Sequence, residues 1–127
     1  MADVTIVNTD DCSATHGGAM KLVRDGLGVE SFGMQVIDMP PNIDAYPEHD
    51  HADEGQEEVY TVIRGACTLV VGDEEYRLEP DVFARVGPNE TRKIVTGDQP
   101  VRLLAIGAVP GQAYEVKDSS RAPAQTA

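Results

Sequence analysis

Basic residues are scarce in this chain. Lys and Arg total 10 of 127 residues against 22 Asp and Glu, a formal net charge of −12 at pH 7. A surface of that sign repels a phosphate backbone, so nucleic acid is not an expected partner. Long apolar runs are missing too. None approaches the ~18 residues of a spanning helix, and no membrane association is expected. The first residues lack a basic segment followed by an apolar one, so no signal peptide is expected. Two cysteines, Cys12 and Cys67, are too few and too far apart for a disulfide framework or a zinc finger. Reduced thiols in a cytoplasm are the expected state. There is no internal repeat and no long linker. The glycines at 17, 18, 26 and 28 lack the strand, spacing and lysine of a phosphate loop.

The chain does carry enough for one folded domain. Hydrophobic residues make up 41% and charged residues 25%, which excludes a disordered chain. Short β-branched and aromatic segments alternate with turn residues about every ten positions, the rhythm of a sandwich or barrel. Strands are expected over residues 32–39, 58–64, 67–71, 74–78, 82–86, 92–96 and 101–106. Gly72-Asp73 supplies the positive φ of a hairpin turn between the third and fourth of these. No window from 32 to 107 carries a helical apolar pattern over three turns. Residues 19–24 suit either a short helix or a strand, cut short by flanking glycines. The expected organisation is one all-β domain over 1–117 and a frayed, flexible tail over 118–127. Strands 32–39 and 101–106 are apolar on both faces, which predicts a homodimer that buries an outer sheet face.

The candidate chemistry lies around three of the least common side chains. The histidines are His16, His49 and His51. His49 and His51 sit at i and i+2, a spacing that puts both imidazoles on one face of a strand. Glu58 follows at the start of the next strand and offers a carboxylate, giving the two-His, one-carboxylate set of open-coordination metal sites. Tyr60 and Val62 share its face by alternation. Glu48, Asp50, Asp53, Glu54, Glu57 and Glu58 surround the pair. They read as a solvated loop or as a field that raises the local cation concentration. His16, in a Gly-rich stretch, reads as a surface residue. Cys67 reads as a buried thiol with no base placed beside it.

This pattern resembles the cupin superfamily. Its first motif is a Gly, then His-x-His, three or four residues, Glu, six residues and Gly. Here His49-x-His51, Glu58 and Gly65 stand in that order, with six residues between His51 and Glu58. The resemblance extends from about residue 32 to 106. It implies a double-stranded β-helix, or jelly-roll antiparallel barrel, with His49, His51 and Glu58 as the first three ligands of one divalent transition metal (Zn, Ni, Fe or Mn). The second cupin motif brings a further His. Aligning Asp81 with that motif's first Gly puts Arg92 at the His position, and aligning Pro80 puts Thr91 there; no histidine follows His51. An inward Arg92 would pair with Glu58, oppose a cation and favour an anionic ligand through bidentate hydrogen bonds. The resemblance therefore leaves three readings. One is a small-molecule- or metal-binding barrel with Tyr60 and Arg92 contacting a small organic ligand. Another is a metal-dependent dioxygenase or isomerase. The third is a structural barrel with a degenerate site and no metal.

Overall fold

The computed structural model describes residues 2–44 and 48–122. In chain order its elements are β1 (Ala14–Thr15), β2 (Met20–Lys21), α1 (Val23–Leu27), β3 (Gly33–Met39), β4 (Glu57–Arg64), β5 (Cys67–Val71), β6 (Glu74–Leu78), β7 (Phe83–Val86), β8 (Arg92–Thr96) and β9 (Val101–Ala108). All paired strands among the described residues run antiparallel. They form a six-stranded sheet in the order β1-β2-β3-β9-β4-β7 and a three-stranded sheet in the order β6-β5-β8. The protein is an all-β jelly roll, as the turn rhythm predicts. Every strand expected from 32 to 106 is present. The bounds shift by one or two residues, because pairing with β3 and β4 carries β9 on to Ala108.

The core lies between the two sheets and follows from alternation. In β9, Val101, Leu103 and Ala105 are buried, and Leu104 and Ile106 lie on the opposite face. From β4 come Tyr60 and Val62, from β3 Ile37 and Met39, and from the small sheet Cys67, Leu69, Leu78 and Ile94. Leu103 and Ile94 retain no exposure. At roughly 25 cal/mol per Å² of apolar surface, each such side chain contributes about 1.5–3 kcal/mol on burial. Gly65 ends β4 at φ +85, and a Cβ there would sit 2.4 Å from the backbone oxygen of Pro100. The glycine of the first motif is thus required by a close approach of two backbones as well as by its left-handed conformation.

The N-terminal third is where the expectation was least definite. Residues 19–24 hold both alternatives: β2 extends the large sheet beside β3, and α1 follows at once. The helix stops after five residues, where Gly28 (φ 74) donates its N–H to the carbonyls of Arg24 and Asp25. α1 packs against β3. Leu22, Val23 and Val36 are buried outside the main core, so part of the outer sheet face expected at a dimer contact is covered by the chain itself. Arg24 is buried there and donates from Nη1 to Val29 O (2.6 Å) and from Nη2 to Ser120 O (3.0 Å). Residues 118–120, expected within the frayed tail, form a 3-10 turn with Ser120 buried. Residues 123–127 lie outside the described residues. No helix among the described residues is long and apolar enough to cross a membrane.

Candidate metal centre

β4 and β8 bring the site together from opposite sheets. Alternation on β4 turns Glu58 and Tyr60 inward, and alternation on β8 turns Arg92, Ile94 and Thr96 inward. The two histidines do not sit on a strand, as their spacing suggested. His49 forms a single β-bridge to Arg92, with N–H···O bonds in both directions (3.0 and 2.8 Å). The His51 N–H donates to Pro88 O (2.9 Å). On the other side of residues 45–47, Ile43 pairs with Thr96. Backbone contacts to Arg92 at the start of β8 and to Pro88 just before it thus hold the histidines. The i, i+2 spacing still brings the rings together, with centroids 5.0 Å apart in an edge-on arrangement.

Four polar groups converge on one oxygen. The Tyr60 hydroxyl donates to Glu58 Oε1 at 2.6 Å. His51 Nε2 lies 2.9 Å from it, His49 Nε2 3.6 Å and Arg92 Nη1 3.6 Å. Burial raises the Glu58 carboxyl, but hydrogen bonds from His49 and Tyr60 and the fields of both histidines outweigh it and hold the pKa at about 2. Glu58 is therefore ionised at neutral pH. Exposure falls inward across the cluster: the side chains of His49, His51, Glu58 and Arg92 are 30, 17, 13 and 0% exposed. His49 stands at the mouth and Arg92 at the floor.

Sequence reasoning missed Glu54 as part of the site. Its carboxylate holds His51 Nδ1 and also pairs with Lys117 Nζ. The lysine first, and then the histidine, keep this carboxyl below its usual range. A carboxylate on Nδ1 fixes the tautomer that presents Nε2 to the site, the usual arrangement behind a metal-bound histidine. The i, i+3 spacing of His51 and Glu54 was the available signal, hidden among six acidic residues that looked alike. Of the others, Glu57 pairs with Arg85 and Asp50 accepts from the N–H of Ala52. Cys67 is buried, and burial pushes its thiol up to about 11. It remains protonated and inert.

A cavity of about 460 Å³ opens beside the cluster. Its walls include Met20, Ile37, Met39 and Ile43, with His49, His51 and Glu58 at one side and His16 at another. His16 was expected at the surface; it is exposed, yet it also borders this space. Tyr60 and Arg92, expected to face a ligand, stand behind Glu58 and form no part of the wall. A second wall carboxylate, Asp38, is taken by Arg102 through two hydrogen bonds of 2.7 and 2.9 Å.

The family described as "Cupin domain" matches residues 35–107, more than half of the chain. The chain belongs to that family. No curated protein sequence matches it. Among solved structures it is similar to a cupin protein from Bacteroides fragilis, with 16% identity over 99% of this chain and 100% of that one (TM-score 0.66). It is also similar to a sugar phosphate isomerase of the cupin superfamily from Silicibacter pomeroyi, with 24% identity over 70% of this chain and 57% of that one (TM-score 0.62). A third, a DMSP lyase from Ruegeria pomeroyi, has 22% identity over 75% of this chain and 47% of that one (TM-score 0.56). This cupin thus spans little more than half the isomerase and less than half the lyase. At these identities the likeness is one of fold.

Three donors in this cupin fit a divalent cation. One ligand atom each from His49, His51 and Glu58 lies within 4.8 Å of the others. Ligands at about 2.0–2.2 Å from one ion and at right angles lie about 3 Å apart, close to the 2.9 Å between His51 Nε2 and Glu58 Oε1. Arg92 opposes this set. An ion held by Glu58 Oε1 at that bond length would lie within about 5.8 Å of Arg92 Nη1. Repulsion between a divalent ion and the guanidinium is then about 6 kcal/mol at an effective dielectric of 20, against about 16 kcal/mol of attraction from the carboxylate itself. Between these two charges, the attraction of the carboxylate exceeds the repulsion of the guanidinium.

Proposed function

We propose that this cupin binds a small organic molecule in its 460 Å³ cavity, beside a divalent transition-metal centre formed by His49, His51 and Glu58. The observation that carries the reading is the convergence of three ligand atoms within 4.8 Å at the side of an apolar-walled space. A pocket of this size suits a metabolite-sized ligand. Imidazole and carboxylate donors suit Zn, Ni, Fe or Mn. A metal held there supplies Lewis acidity toward a ligand oxygen.

The chain's own residues have separable tasks. Glu54 orients His51. Tyr60 donates to Glu58 and keeps its charged form in place. Met20, Ile37, Met39 and Ile43 exclude water and give the ligand's apolar part a seat. Arg92 supplies a fixed positive charge under the carboxylate. A second reading, favoured by the full burial of that guanidinium, is a metal-free barrel in which Glu58 and Arg92 form the pair and the imidazoles hydrogen-bond the ligand.

Elemental analysis of the purified protein, followed by calorimetric titration with Zn²⁺, Ni²⁺ and Fe²⁺, separates the two. The metal centre requires one ion per chain in the wild type and its loss in His51→Ala. Equal, negligible binding in both proteins leaves the metal-free reading.

A further inference from the structure

The metal centre proposed above would carry an unusual charge. Metal-bound imidazoles are neutral, so His49 and His51 add none. Glu58 contributes −1 and Arg92, at the floor, +1. With a divalent ion bound, the cluster reaches +2. Nearby acids offset little of this: Glu48, Asp50 and Asp53 are exposed, where water and salt screen them. Glu54 is paired with Lys117. Asp38 is taken by Arg102, whose other partner, Asp10, is exposed. Arg92 is fully buried, and its Nε and Nη1 have no hydrogen-bond partner. Only Nη2 is satisfied, by Gly87 O at 2.6 Å. The field of a buried guanidinium in this state is weakly screened.

We infer that metal and ligand bind this site as a linked pair, and that the ligand is an organic anion: a carboxylate with an apolar body. The apolar walls seat the body. The carboxylate meets an uncompensated charge that exists only when the metal is present. Arg92 touches neither partner and lies outside the cavity wall. It acts through the field it adds beneath Glu58. By thermodynamic reciprocity, the anion must tighten the metal by the same factor that the metal tightens the anion.

The inference rests on the metal centre, and the test tells the two apart. Zn²⁺ is titrated into the wild type by calorimetry at fixed ionic strength: alone, with benzoate, and with benzamide. Benzamide has nearly the same shape and no charge. Benzoate is expected to tighten Zn²⁺ at least tenfold and benzamide less than twofold. Zn²⁺ is expected to tighten benzoate by the same factor. Arg92→Met should bind Zn²⁺ more tightly on its own and show at least a threefold smaller benzoate effect. Arg92→Lys keeps the charge and should keep the effect. If Arg92→Met does not fold, the Lys variant and the benzoate–benzamide contrast in the wild type still decide. Zn²⁺ binding that benzoate does not alter, or that benzamide promotes equally, overturns the linkage and leaves the metal centre standing. No Zn²⁺ binding in the wild type, with or without benzoate, overturns both.

Discussion

Replacing Arg92 by histidine tests the reasoning about the site most directly. The substitution removes the buried cation that approaches Glu58 and places an imidazole where the second cupin motif has one. Its position is favourable. Residue 92 is the antiparallel bridge partner of His49, with hydrogen bonds in both directions. Such pairs have Cα atoms about 5.5 Å apart and side chains on one face. The repulsion relieved is at least about 6 kcal/mol at an effective dielectric of 20, because about 5.8 Å is the longest separation between the ion and Arg92 Nη1. Solvent at the His49 mouth and movement of the arginine reduce it. Recovery of half would tighten Zn²⁺ by roughly a hundredfold, since about 1.4 kcal/mol is a factor of ten. The variant has a cost as well. Gly87 O loses the donor at 2.6 Å, and the shorter side chain leaves space at a position with no exposure. The metal-free protein should lose about 1–3 kcal/mol of stability. Zn²⁺ at 100 times its Kd restores about 2.7 kcal/mol. The expected outcome of Arg92→His is a lower urea midpoint without metal, recovery with Zn²⁺, and a Zn²⁺ Kd about a hundredfold below that of the wild type. A folded variant whose Kd lies within threefold of the wild type would refute the claim that Arg92 governs the site.

Three further outcomes follow from the geometry. Gly65→Ala combines a left-handed φ of +85 with a Cβ 2.4 Å from Pro100 O; urea unfolding should show a loss of about 2–4 kcal/mol, and a loss below 1 would show that the turn can move aside. The Asp38 carboxyl is held below the usual carboxylate range, chiefly by its hydrogen bond to Arg102. Its contribution is therefore complete above the unfolded pKa and lost as pH falls through the lower folded value. The stability gap between the wild type and Asp38→Asn should close on acidification below about pH 4, and a gap that stays constant to pH 2 would remove the pair from the account. The outer face of the large sheet still shows half-buried Met34, Leu104 and Ile106 beside exposed Ile63 and Phe83. We expect light scattering to give roughly twice the 13.6 kDa of one chain, and a single-chain mass at micromolar concentration would refute the homodimer.

What was legible in the sequence was whatever depends on local pattern. Alternation and turn residues located the strands from Gly33 to Ala108, because a half-buried strand must alternate. The N-terminal segment was not legible in the same way. Leu22 and Val23 are buried only because β3 offers a second apolar face at Val36, and nothing in residues 19–24 encodes that partner. The same holds for Ser120. Its carbonyl accepts from Arg24, 96 residues earlier, a partner that small polar residues at that position do not reveal.

The site divides along the same line. His49, His51 and Glu58 were legible because their spacing is itself the signal. The place of Arg92 beside Glu58 was legible too, but its direction was not, because direction depends on the partner strand. Its inward orientation follows from the β8 register, in which Arg92, Ile94 and Thr96 share the core face. A charged side chain on the core face of a small barrel is costly unless paired, and the carboxylate it approaches is the one the histidines also need. The four groups therefore cannot be assigned independent roles. On the linkage proposed above, any change that strengthens Glu58 as a metal ligand weakens it as the counter-charge of Arg92, and a bound anion relieves both demands. In this cupin the missing histidine is better described as a change in the charge of the site than as the loss of one ligand.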